Sequence, residues 1–235
     1  MGWMLWTKYL HPKQSVQFER DDGYRDDDAF ADVAFYPYKK FYHIERRCLS
    51  QMDGLTVLDA GTGAGRASLY FQNRRRAAIA VDISPGAVSL AKTRGVLEVH
   101  QMSVLDLTAN DARWEAIIMI GNGTTVARSL KELGLMLEHL RKISRPGTQL
   151  VITSLDIHDA APEHHLRYQQ AQSAKGHYAG DFSLRYHIGS QTSGWLSGVL
   201  VDPSTLYGLL EDTGWHVRAR FQHPLELPLY GMIAN

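Results

Sequence analysis

Leu55-Thr56-Val57-Leu58-Asp59-Ala60-Gly61-Thr62-Gly63-Ala64-Gly65-Arg66 decides how the rest of this 235-residue chain is read. It begins as a short run of aliphatic and β-branched side chains, as a buried parallel strand does. A carboxylate follows, then three glycines at alternate positions, then Arg66-Ala67-Ser68-Leu69-Tyr70-Phe71, which reads as a helix. Glycines there let the backbone turn sharply and let a ligand approach the main chain. The next strand, Ala77 to Val81, ends in Asp82, 21 positions after Gly61. A nucleotide-binding β-α-β unit puts the acid that grips a ribose at about that distance.

Dinucleotide folds space their glycines G-x-G-x-x-G, so that a pyrophosphate can sit on a helix N-terminus. Here the spacing is D-x-G-x-G-x-G, with Asp59 two residues before Gly61. This closely resembles the cofactor loop of class I S-adenosylmethionine-dependent methyltransferases, whose pattern is (D/E)-x-G-x-G-x-G. The resemblance implies an α/β fold: a doubly wound, seven-stranded Rossmann-like sheet of order 3-2-1-4-5-7-6 whose last strand is antiparallel. It also implies S-adenosyl-L-methionine as cofactor and S-adenosyl-L-homocysteine as product. Residues 37–155 and 203–235 are expected to form that domain, after an N-terminal arm at 1–36 and around a β-hairpin cap insertion at 156–202.

Composition agrees with one such domain plus a small elaboration, because 235 residues can bury a sizeable core. The 25 basic and 25 acidic side chains include no long run of one sign, so no phosphate-tracking groove and no nucleic-acid partner is expected. A single cysteine, Cys48, excludes an intramolecular disulfide and suits a reducing cytoplasm. No apolar run approaches the roughly 20 residues that span a bilayer, so no membrane partner is expected. Met1 to Leu10 lacks the basic start and cleavage site of a signal peptide.

Trp3, Trp6 and Tyr9 fall at helical spacing and suggest a packing arm or a subunit contact, which hints at a homodimer. Arg20 to Asp28 reads as a turn followed by the acid-rich start of a short helix. Pro37 to Met52 reads as a helix, and in the resembled family a helix at this place often covers the cofactor. Tyr36, Tyr38 and Tyr42 would then either line the site or pack in the core.

Asp82 is expected to bind the ribose, with Ile83 beside it, and Ser84-Pro85 starts a helix. After a third strand, Val96 to Gln101, the family pattern G-D-A-x-D-L places an acid against the adenine. Aligned on Asp106-Leu107, that position is Ser103 here, so either Ser103 and the Val104 backbone meet the adenine or Asp106 takes the role; the former is the expectation. Trp114 to Ile120, a fourth strand, runs into Gly121-Asn122-Gly123. Ligands of open α/β sheets bind outside the carboxyl ends of the strands, so Asn122 either contacts the acceptor or caps a helix.

Leu130, Leu133, Leu137, Leu140 and Ile143 stripe a long helix, and Gln149 to Leu155 is a fifth strand. Leu140 to Gly147 resembles the family's L-x-P-G-G turn, with Thr148 in place of the second glycine. Phe182 to Ile188 and Gly194 to Val201 alternate as a hairpin. His158, His164 and His165 lack the spacing of a H-E-x-x-H helix, and no metal is expected. Pro203 to Asp212 reads as a helix, followed by two strands, Trp215 to Phe221 and Leu227 to Ala234.

The activity implied is methyl transfer to a small-molecule acceptor. Backbone at Gly61 and Gly63 would hold the methionine part, with Gly65 in the same cofactor-binding loop and Asp59 either fixing that loop or approaching the ammonium, and Asp82, Ile83, Ser103 and Val104 would bind the adenosine. Asn122, Asp156 and His158 are the candidate catalytic residues. Two other readings are weighed: a cofactor-binding protein without turnover, because no general base is obvious, and a nicotinamide oxidoreductase, which the glycine spacing disfavours.

Overall fold

The N-terminal segment of the computed structural model contains α1 (Gly2–Leu10), β1 (Gln17–Arg20), β2 (Arg25–Asp27), α2 (Phe30–Val33) and α3 (His43–Ser50). Then follow β3 (Val57–Ala60), α4 (Arg66–Gln72), β4 (Ala78–Asp82), α5 (Pro85–Thr93), β5 (Glu98–Gln101), β6 (Ala116–Met119), α6 (Leu130–Ile143) and β7 (Gln149–Leu155). The chain ends with α7 (Glu163–Ala174), β8 (Asp181–Ile188), β9 (Gln191–Thr192), β10 (Leu196–Val199), α8 (Pro203–Asp212), β11 (Val217–Gln222) and β12 (Leu229–Ala234). The structure describes residues 2–27, 30–52, 55–159, 161–222 and 228–235.

Seven strands form one sheet in the order β5-β4-β3-β6-β7-β12-β11. The first five are parallel, and β12 inserts antiparallel between β7 and β11. This is the expected Rossmann-like topology. Its central strands β3 and β6 are buried at every residue, which is why they read as unbroken apolar runs. The helix ends obey local chemistry. Ser84, with Pro85 behind it, accepts from the Ala87 amide to cap α5, and Asp202 accepts from the Ser204 and Thr205 amides to cap α8. Leu133, Leu137 and Leu140 of α6 are fully buried against the sheet, where the Trp215 indole donates to the Leu137 carbonyl at 2.9 Å.

A second sheet, β10-β8-β1-β2 with β9 on β8, joins the two segments that lie outside the main sheet. The insertion's hairpin is present, Leu196 pairing with Leu184 and Val199 with Asp181. Its β8 also pairs with β1 of the N-terminal segment, Phe18 opposite Tyr186. Arg25 to Asp27 is therefore a strand, not the start of a helix. Asp21 to Gly23 makes the turn, Gly23 supplying φ +88°, and Arg25 pairs with Glu19 across the ladder. All three residues of β2 are exposed, so no apolar alternation marked it as a strand.

Helix α1 crosses α5 closely, because Gly2 and Gly86 face each other and a Cβ on either would press on the other's backbone. Met4 and Leu5 of α1 share a core with Ala64 of the glycine loop, Ala87 and Leu90 of α5, and Tyr186 and Ile188 of β8. The second sheet and α1 thereby sit over the carboxyl edge of the main sheet. Among the described residues no helix is long and apolar enough to cross a membrane.

Candidate active site

The turn after β3 is built by its own hydrogen bonds. The amides of Gly61 and Thr62 both donate to the Val81 carbonyl, at 2.9 and 3.1 Å, which pins the loop to the end of β4. Gly61, Gly63 and Gly65 all have positive φ, the region L side chains avoid. Their surroundings differ. A Cβ at Gly61 would overlap the Val126 side chain, and one at Gly65 would meet Val96 Cγ2 at 2.5 Å and Ala91 at 3.3 Å. At Gly63 nothing lies within 4 Å, so that glycine faces open space.

Asp59 is buried beneath the loop. Its Oδ2 accepts from Thr62 Oγ1 at 2.7 Å, Ser68 Oγ at 2.6 Å and the Ser68 amide at 3.1 Å. Burial raises its pKa against those bonds. Asp82 divides its oxygens, Oδ2 accepting from the Gly63 amide at 2.9 Å and Oδ1 from the Ser84 amide at 2.8 Å. Burial raises its pKa as well. A carboxylate offers about four lone-pair positions, so two remain for hydroxyl groups. Ile83 beside it is 65% exposed, a large apolar side chain on the surface.

Val104 is buried in the main core, and Ser103 caps the 3-10 turn Val104–Asp106. Ser103 Oγ accepts from the Leu105 amide at 3.2 Å while the Ser103 amide donates to Asp106 Oδ2 at 3.1 Å. Asp106 is thus tied to its own turn.

A cavity of about 680 Å³ opens between the carboxyl edge of the main sheet and the second sheet. Gly61, Thr62, Asn122 and Asp156 line it from below. Asn122 adopts φ +61°, ψ +52°, and its side chain caps nothing. Its Oδ1 is buried without a hydrogen-bond partner. Asp156 follows β7, its amide donating to the Pro228 carbonyl at 2.7 Å and its Oδ1 accepting from the His158 amide at 3.0 Å. The His158 side chain is exposed, outside the cavity lining, with Nε2 3.9 Å from Asp202. The structure brings Asn122 and Asp156 together with the glycine loop and leaves His158 apart. Tyr36, Tyr38 and Tyr42 pack against the core around Phe41, Tyr38 stacking on Tyr70 at 4.3 Å, and none lines the cavity.

Sequence reasoning missed the basic residues of the cavity. Arg66 lies against the buried Glu45 of α3, with NH1 2.9 Å from Oε2 and NH2 on Oε1, and its guanidinium stacks over Phe41 at 4.4 Å. Arg20, only 7% exposed, donates to both oxygens of Asp22 at 2.9 and 2.7 Å and lies 3.9 Å over the Tyr168 ring. Its NH1 is 2.8 Å from His165 Nδ1. A guanidinium only donates, so that nitrogen accepts, and the His165 proton sits on Nε2. Of these, only Arg66 carried a local signal, its place directly after the glycines. Arg20 and His165 are 145 residues apart.

A family model described as "Methyltransferase domain" matches residues 57–147, from the first residue of β3 to the turn before β7. That match and the sheet order give this chain the fold of a class I methyltransferase. An S-adenosylmethionine-dependent methyltransferase from Bacteroides fragilis, solved with S-adenosyl-L-homocysteine, superposes with a TM-score of 0.79 over 100% of this chain and 93% of its own, at 21% identity. A second such methyltransferase, from Methanosarcina mazei, has a TM-score of 0.66, 19% identity, and coverage of 83% of this chain and 97% of its own. The 1,6-didemethyltoxoflavin-N1-methyltransferase of Burkholderia thailandensis, bound to 1,6-didemethyltoxoflavin and S-adenosylhomocysteine, has a TM-score of 0.53 and 18% identity, with coverage of 82% and 77%. At such identities the likeness is one of fold. Among curated proteins none matches the chain.

Proposed function

We propose that the chain is an S-adenosylmethionine-dependent methyltransferase acting on a small molecule. One observation carries the reading. A three-glycine loop and the Asp82 carboxylate, hydrogen-bonded to each other through the Gly63 amide, lie at the sheet edge, and Gly61 and Thr62 of that loop line the cavity. The S-adenosyl-L-homocysteine bound in the Bacteroides fragilis structure, which aligns over the whole chain, supports it.

The residues present fit this cofactor. Gly63 is bare where a ligand would run past the loop, Asp82 keeps acceptor positions for two ribose hydroxyls, and exposed Ile83 offers an apolar surface to an adenine. Ser103 and Val104 would stand at the adenine's other edge. Gly61 and Gly63 would hold the methionine part through their backbone. Asp59 shapes the loop from beneath, and Gly65 spaces α4 from α5 and the following turn.

When bound, the cofactor supplies a methyl group already activated by its positive sulfur. The chain's own residues have to hold the acceptor in line and keep water out. Asn122 and Asp156 stand at the acceptor side, and α1 with the second sheet would form the cover. We therefore take residues 37–155 and 203–235 as the methyltransferase domain, with 1–36 and 156–202 contributing jointly to a cap. A cytoplasmic site of action goes with this reading and with the lone buried Cys48.

Calorimetric titration with S-adenosylmethionine and S-adenosylhomocysteine, with NADH as control, tests it. Micromolar binding of the first two and none of NADH is the expected result; binding of neither would overturn the assignment.

A further inference from the structure

The charges around the cavity do not balance. Both cations that line it are already neutralised, Arg20 by the two oxygens of Asp22 and Arg66 by those of Glu45. Asp156 and Asp159 line the same cavity, and among the described residues neither carboxylate has a basic side chain within 4 Å. The rest of the wall is mostly apolar, including Leu5, Phe18, Val33, Phe182, Leu184 and Leu196. A carboxylate left unpaired when water is displaced from such a site is strongly unfavourable. The ligand that fits brings its own positive charge.

Position and proton chemistry single out Asp156. Met119 of β6 pairs with Ile152 of β7. Asn122 and Asp156 follow those partners by three and four residues, on strand ends about 4.8 Å apart. Asp159 lies three residues further from the strand end and is exposed, and His165 and Tyr168 are spoken for as bases. The His165 Nδ1 lone pair is taken by Arg20, leaving that ring a donor, and the Tyr168 hydroxyl donates to Asp21 at 2.7 Å.

Given a methyl donor seated along the glycine loop, as proposed above, we infer that the acceptor is a primary or secondary amine on an apolar body, its nitrogen held beside Asp156. The ammonium passes one proton to the Asp156 carboxylate, which exposes the nitrogen lone pair. That pair bonds the methyl carbon, and the carbon–sulfur pair stays with sulfur and cancels its charge. The product leaves as the methylated ammonium, and Asp156 sheds its proton to solvent. An anionic acceptor would meet like charge at the same place, and a neutral alcohol would form no ion pair with the carboxylate.

The test uses the full chain saturated with S-adenosylhomocysteine and three probes that share one apolar body: phenethylamine, phenethyl alcohol and phenylacetate. By calorimetry at neutral pH the amine binds tighter than either analogue by about tenfold or more, as one partly buried ion pair provides. In Asp156→Asn that preference disappears while S-adenosylhomocysteine binds as before. Equal or tighter binding of phenethyl alcohol or phenylacetate, no binding of the amine, or a preference that survives Asp156→Asn overturns the inference and leaves the methyltransferase reading standing. Weaker S-adenosylhomocysteine binding in Asp156→Asn overturns it too, since Asp156 would then serve the cofactor. Failure of the wild-type chain to bind S-adenosylhomocysteine removes the reading on which it rests.

Discussion

Asp59 and Asp82 both end a strand of the parallel sheet, yet their hydrogen bonds give them different work. Asp59 uses one oxygen to gather Thr62 and Ser68, so it builds the loop. Asp82 touches the loop only through the Gly63 amide and retains acceptor capacity toward the site. On the proposed ribose role, Asp82→Ala would remove two charge-assisted bonds to the cofactor, each worth about 1.5–3 kcal/mol, and cofactor affinity should drop by roughly a hundredfold or more. Calorimetry with S-adenosylhomocysteine reads that loss, and circular dichroism should show the fold retained; unchanged affinity would refute the ribose role. The glycines give a matching contrast. Gly63→Ala meets no protein atom, so it costs only about 1–2 kcal/mol of backbone strain while placing a methyl where the ligand runs. Gly65→Ala adds the collision with Val96 to the same strain and mainly destabilises the fold. Urea unfolding and ligand titration of both variants should separate the two effects, and a Gly63→Ala protein of normal affinity would speak against ligand passage there.

Helix α3 is joined to the glycine turn by the Glu45–Arg66 pair, with Phe41 beneath the guanidinium. Glu45 is fully buried and Arg66 nearly so, its face toward the cavity being the open one. Breaking such a pair from one side leaves an uncompensated charge. Glu45→Ala is therefore expected to cost about 3–5 kcal/mol, whereas the double change Glu45→Leu with Arg66→Met costs clearly less than the sum of the singles. Denaturant unfolding of the four proteins measures the coupling, and simple additivity would show that the pair contributes nothing beyond its separate side chains. Helix α1 is held differently, by shape rather than charge, through the close approach of Gly2 to Gly86 and the burial of Met4 and Leu5.

For the molecule as a whole, the second sheet makes the N-terminal segment and the insertion one unit. Glu19 of β1 accepts from Arg185 at 2.7 Å, lies 2.8 Å from His187 Nε2 on β8, and accepts from Arg25 of β2 at 2.6 Å. The Arg185 hydrogen bond, first among these, holds the Glu19 carboxyl down at about 2. A depressed carboxylate pKa stabilises the fold above the unfolded-state value and loses that contribution as pH falls toward the folded value. The melting temperature should therefore decline between about pH 4.5 and pH 2 through Glu19. In Glu19→Gln that part of the decline should be missing, with stability lower at neutral pH. Thermal scans of both proteins across this range check it, and superimposable pH profiles would show that Glu19 does not tie the strands together.

The glycine turn and its tie to Asp82 were legible because their information is contiguous. Strand, acid, glycines, helix, strand and Asp82 follow within 28 residues, and each signal is a local property of backbone or periodicity. The buried parallel strands were legible as apolar runs, while their order came with the resemblance that the glycine motif carries. The second sheet was legible only in part. Its β8–β10 hairpin shows as alternation in the sequence, but β2 is wholly exposed and reads as a helix start in isolation, and nothing local announces that β8 pairs with β1. The partners that set the cavity's charge lie far apart in the chain: Glu45 and Arg66 by 21 residues, Arg20 and His165 by 145. No local pattern encodes such pairings, and the placement of His158 outside the cavity is equally a matter of how the loop after β7 turns. The sequence by itself thus determined the α/β class and the glycine turn after the first parallel strand, because those rest on local periodicity and turn chemistry. Only the tertiary structure decided which charges in the cavity remain uncompensated, because that depends on contacts made across the whole chain.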